Sequence, residues 1–113
     1  ANTKATITKA AGSGTQRHAC TDLTVTFAAG AAAPAAVQVS VALIDGIAGG
    51  TTYLWGPQVL SLPATAGIGG GIALPLSHPK LGMQATAMTL EFSAAGGANT
   101  IQAVSMGGYT INE

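Results

Sequence analysis

The sequence predicts an all-β protein, an antiparallel β-sandwich of jelly-roll or Ig-like type built from about eight short strands. Three observations carry that expectation. Apolar and polar residues alternate with a period of two in several separate segments. Clusters rich in Gly, Pro, Ala and Ser divide those segments from one another. No stretch shows the 3.6-residue apolar stripe of an amphipathic helix.

Leu23-Thr24-Val25-Thr26-Phe27 places its odd positions on a core face and its threonines on the other. Val37-Gln38-Val39-Ser40-Val41-Ala42-Leu43 repeats the pattern, and Asp45-Gly46 ends it with turn chemistry, so an Asx-type turn is the expected role of Asp45. Ala87 to Phe92 puts Met88, Leu90 and Phe92 on one face and leaves Glu91 on the opposite, solvated one. Shorter candidates run from Thr3 to Lys9, Thr52 to Trp55, Gln58 to Leu62, Ile72 to Leu76 and Thr100 to Met106. Tyr109-Thr110-Ile111 extends the last of these after a Gly-Gly break. The expected core is therefore Leu23, Val25, Phe27, Val39, Val41, Leu43, Met88, Leu90 and Phe92.

Ala28 to Ala36 has the helix propensity of alanine, but Gly30 and Pro34 interrupt it and no large apolar side chain anchors it, so a loop is expected. The run from Ala94 to Asn99 reads as a second connection between strands. Both are short and flanked by strands of the same kind. Residues 1–113 are accordingly expected to form one domain.

Composition narrows the function classes. Four Lys or Arg balance four Asp or Glu, and charged residues make up 7% of the chain against about 25% in an ordinary soluble domain. Four dispersed cations cannot form a phosphate-neutralising patch, so no nucleic-acid partner is expected. The longest uncharged stretch, Gly46 to Pro79, contains four prolines, which argues against a membrane helix. The first residues show no basic region followed by an apolar one, so no signal peptide is expected. Cys20 is the single cysteine, which removes any intramolecular disulfide.

Residues able to do chemistry are few. His18 and Cys20 have the spacing that puts two ligands on one strand face, half of a zinc site, but His78 is the only other imidazole and the remaining ligands are missing. By strand parity this pair lies opposite Leu23, Val25 and Phe27 unless a bulge intervenes. Asp22, Asp45, Glu91 and Glu113 include no local acid and base pair. Gly67-Ile68-Gly69-Gly70-Gly71 lacks the third glycine of the dinucleotide fingerprint, since Ile72 stands there, and no Gly-Lys-Ser/Thr follows. These glycines are read instead as permitting a bulge or a close strand approach. No enzyme activity, cofactor or metal is expected. Trp55, before Gly56-Pro57, is the one candidate binding residue, because an exposed Trp on a sandwich can stack on sugar rings. With aromatics at 4% of the chain, burial of Trp55 in the core or at an interface is the favoured reading.

The stretch from His18 to Tyr109 resembles a known class of proteins. Its landmarks are Arg17-His18-Ala19-Cys20-Thr21-Asp22-Leu23-Thr24-Val25, an Ala/Gly connection, Val41-Ala42-Leu43-Ile44-Asp45-Gly46, Leu54-Trp55-Gly56-Pro57, Leu74-Pro75-Leu76, Ala87-Met88-Thr89-Leu90, Ser93-Ala94-Ala95 and Gly108-Tyr109. In outline these are similar to the small Ala/Gly-rich β-sandwich structural proteins of phage virions, which serve as head decoration (cement) or accessory tail proteins. The resemblance implies a non-enzymatic capsid decoration protein that stabilises the phage head by bridging shell subunits. Its partners would be the major capsid protein or other virion proteins, and it would act as a homo-oligomer, a dimer or a trimer. It would reside in the virion after assembly in the bacterial host cytoplasm, which a free cysteine and no export signal fit. The alternative is a glycan- or receptor-binding module of a tail or surface fibre, with Trp55 as its platform.

Overall fold

The computed structural model describes residues 4–29, 37–62, 69–94 and 100–112. Among them the chain forms seven strands: β1 (Thr6–Lys9), β2 (Gln16–Ala29), β3 (Val37–Asp45), β4 (Tyr53–Leu62), β5 (Gly69–Leu81), β6 (Met88–Phe92) and β7 (Thr100–Asn112). They build two antiparallel sheets packed as a β-sandwich. One sheet has the order β1-β6-β3-β4 and the other β5-β2-β7. The chain crosses between the sheets at every connection except that from β3 to β4. No helix among the described residues is long and apolar enough to cross a membrane.

The core is built by the alternating segments. Leu23 and Val25 from β2, Val39, Val41 and Leu43 from β3, and Met88, Leu90 and Phe92 from β6 are buried together, and Cys20 joins them. Phe27, expected among them, is only half-buried and packs against this cluster from the side, as do Trp55, Ile72, Val104 and Met106.

The strands are fewer and longer than the sequence pattern indicates, because two interruptions are absorbed without ending a strand. Gly56-Pro57 sits inside β4, in a cis peptide, where two residues of β4 oppose the single Ala42 between the pairs Val41–Gln58 and Leu43–Trp55. Gly56 has φ +83°, and a Cβ there would come within 2.8 Å of the Val41 carbonyl, so the strand passes this point only with glycine. Gly107-Gly108 does not break β7 either. It faces an irregularity in β2, and a Cβ on Gly108 would overlap the Ala19 carbonyl oxygen.

Several expected boundaries move. Ala28 and Ala29 continue β2 instead of opening the loop expected there, and positions 30–36 lie outside the described residues. β1 begins at Thr6, with Thr3 outside the description. Gly69-Gly70-Gly71 opens β5 in unbroken register with Ala28, Phe27 and Thr26, so these glycines serve close approach and form no bulge. Gly67 and Ile68 lie outside the described residues, as do positions 95–99 and Glu113.

Candidate interaction surface

A bulge in β2 decides where the chemistry-bearing residues go. Cys20 pairs with Gly108 and Asp22 with Gly107, so Thr21 is an extra residue with no partner of its own in β7. One inserted residue reverses the phase of a strand. His18 and Cys20 therefore face the same interior as Leu23 and Val25, not the opposite side as uninterrupted parity implies. The Cys20 thiol donates to the Asp22 carbonyl across the bulge at 3.3 Å.

His18 is 5% exposed and ties the two sheets together. Its Nε2 lies 2.7 Å from the carbonyl of Ala10, just past β1, and its Nδ1 lies 2.8 Å from Thr110 Oγ1 on β7. A carbonyl only accepts, so Nε2 carries a proton. Gln102 makes the corresponding tie at the other end of the same side. Its Oε1 accepts from the Ala5 amide at 3.0 Å, and its Nε2 donates to the Ala94 carbonyl at 2.9 Å. Between the two ties lies a groove of about 460 Å³, with Ile7, Thr8 and Lys9 on one wall, Met106 to Thr110 on the other, and His18, Cys20 and Met88 beneath.

Both ring nitrogens of His18 are thus engaged in holding β1 to β7, and His78 stands exposed on β5. Among the described residues no three His, Cys, Asp or Glu side chains come together as a metal site. Burial raises the Cys20 thiol above its ordinary value of 9.0, the Asp22 carbonyl bond opposing that effect and the Asp22 charge adding to it. The folded state thus binds this proton more tightly than the unfolded one. Its contribution to stability is whole below pH 9.0 and is lost as pH rises above that. Cys20 is 1% exposed, so a thiol reagent at neutral pH is expected to label the unfolded chain at once and the native chain only at the rate of opening. Labelling of native protein as fast as that of a free thiol would contradict this burial.

Glu91 is the second departure from the sequence pattern. It was expected on a solvated face, yet it is 6% exposed. Its carboxylate accepts from the Gly49 amide at 2.8 Å and from Thr6 Oγ1 at 3.3 Å, and Lys4 lies 3.5 Å away. Beside it Thr89 donates to the Gly46 carbonyl at 2.8 Å. The turn after β3 is thereby pinned over the outer face of the first sheet, where Ala42 and Ile44 are also buried. Asp45 likewise works away from its own turn, its carboxylate accepting from the Met83 amide at 3.2 Å. The sequence held no sign of either role, because the partners of both carboxylates are remote in the chain.

Trp55 lies on the edge strand β4 opposite Leu43, half-buried against the core cluster. It does not stand clear of the surface as a stacking platform does. Large apolar side chains are exposed on both sheets, Ile7, Tyr53 and Val59 on the first and Leu81, Ile101 and Tyr109 on the second. Tyr109, Ala19 and Leu81 are cross-strand neighbours on the outer face of the second sheet, with Tyr109 50% and Leu81 42% exposed. Met83 follows at 63% and Ile101, also on β7, at 60%.

Comparison of the chain with protein-family models, with curated proteins and with solved structures finds no match.

Proposed function

We propose that the chain is a structural subunit of a virion, a capsid decoration protein that stabilises a phage head by bridging shell subunits. The observation that carries this reading is the distribution of polar and apolar groups. Every buried side-chain nitrogen or oxygen among the described residues has a hydrogen-bond partner, and the interior polar residues His18, Gln102, Glu91 and Thr89 all hold one part of the fold to another. Large apolar side chains face outward on the second sheet of a chain without net charge. Such a surface suits close contact with neighbouring protein, and many weak contacts repeated over a lattice add up to firm attachment.

Electron microscopy of particles from the native source, with the chain labelled, tests this. Label on an icosahedral shell is the expected result. Label on a tail would shift the role to an accessory tail protein, and particles free of the chain would overturn the virion reading. The glycan-binding alternative predicts that Trp55→Ala leaves the fold intact and abolishes binding on a glycan array. The half-buried ring predicts a blank array for the parent chain and a loss of about 2 kcal/mol in the variant, below the 3–5 kcal/mol of a fully buried aromatic. Thermal melting beside the array separates the two.

A further inference from the structure

The four sheet edges among the described residues are not alike. β1 is four residues long and ends in Lys9. β4 carries Pro57 and an irregular register. β5 carries Pro75, Pro79 and Lys80. Short length, proline, lysine and bulges are the devices by which natural sheets keep an edge from pairing with another chain. β7 has none of them on its own length. Its 13 residues, Thr100–Asn112, include no proline and no charged side chain, and among the described residues β2 is its only strand neighbour.

We propose that β7 is a pairing strand whose occupant is β7 of a second copy of this chain, joined antiparallel about a twofold axis at Met106. The inference deepens the structural-subunit reading by naming the contact through which copies associate. Three observations favour a second copy over an unrelated strand. The chain has no net charge and β7 no charge at all, so two copies meet without repulsion. Centring on Met106 leaves no residue of β7 unmatched. The side-chain sizes also complement themselves in that register. On the outer face Ile101 meets the partner's Ile111, Ala103 meets the partner's Tyr109, and Ser105 meets the partner's Gly107. The two three-stranded sheets then become one continuous six-stranded sheet, with both second layers on the same side, and the exposed Ile101 and Tyr109 gain cross-strand neighbours.

Sedimentation of the full chain over a range of concentrations is the test, with three variants beside the parent. The parent is expected to show a concentration-dependent dimer. Ser105→Lys, an exposed position in the middle of the edge, is expected to weaken that dimer about tenfold or more while its melting temperature stays that of the parent. Ser77→Lys, exposed on the β5 edge, is expected to leave the dimer unchanged. Ile101→Cys combined with Ile111→Cys is expected to form a covalent dimer on oxidation, since opposed Cα atoms in an antiparallel pair fall within disulfide reach. A parent that stays monomeric overturns the proposal, as does an assembly that Ser105→Lys does not dissociate or a double variant that forms no interchain disulfide. Dimerisation by β7 in a chain that labels no particle would sink the virion reading and leave this one standing. A labelled particle with a monomeric, unpaired chain would do the reverse.

Discussion

Val41→Asp is expected to leave the isolated chain unfolded at room temperature. Val41 is fully buried at the centre of β3, with Phe92 of β6 on one side and Gln58 of β4 on the other. An aspartate there faces the apolar cluster of Leu23, Leu43, Leu90 and Phe92, with no cation or donor within it. Burial of an unpaired carboxylate costs several kcal/mol even when it is relieved by protonation. A domain of this size has about 5–15 kcal/mol in total, and the lost packing of valine adds to the deficit. The control is Val59→Asp, the same substitution on the adjacent edge strand β4 at a position 59% exposed, which is expected to change stability by less than about 0.5 kcal/mol. Circular dichroism and urea titration of both variants decide it. A folded Val41→Asp protein, or equal losses in the two, would mean that the period-two pattern does not mark the core.

That pattern carried most of the architecture. Leu23, Val25, Val39, Val41, Leu43, Met88, Leu90 and Phe92 are core because side chains two apart on a strand share a face, and the larger apolar residues mark which face that is. Phe27 escapes full burial because β2 runs on past it to Ala29, where its inward neighbour on β5 is Gly70 and offers no side chain to pack against. Strand ends were less legible. Glycine pairs and Gly-Pro look like breaks in sequence, yet at Gly56 and Gly108 glycine is what lets a strand continue past a neighbouring carbonyl.

The polar residues were the least legible, for one physical reason. Glu91 looks solvated because its own strand alternates, and nothing in that strand reveals that the Gly46–Gly49 turn folds back over it and supplies an amide donor. A carboxylate facing outward from one strand is buried or exposed according to what a distant connection does. Trp55 presented the converse difficulty. Its chemistry fits a sugar platform, but a ring opposite Leu43 on a two-layered protein has a core to lie against.

The phase of β2 is the feature on which both the core and the groove depend, and deletion of Thr21 tests it. With Thr21 present, His18 and Cys20 share the inner face with Leu23 and Val25, and Gly107 and Gly108 lie against the bulge. Without it the strand can keep only one half in register, because a one-residue slip turns every later side chain to the other face. Keeping Leu23, Val25 and Phe27 inside turns His18 and Cys20 out, breaks the bonds from His18 to Ala10 and Thr110, and opens the side between β1 and β7. Keeping His18 and Cys20 inside expels Leu23 and Val25, which is worse by their full burial. The first outcome is expected, at a cost of about 3–5 kcal/mol from two lost hydrogen bonds, an unsatisfied carbonyl and a vacated interior site. Thr21→Ala keeps the residue count and removes only a hydroxyl that bonds the Asp22 carboxylate at an exposed site, so it is expected to be neutral within about 0.5 kcal/mol. Cys20 reports the mechanism independently of stability. In the deletion variant the thiol should react with a labelling reagent under native conditions while the melting transition remains cooperative, because Cys20 has been turned to solvent. Slow labelling in a folded deletion variant would show that the bulge does not set the phase of β2.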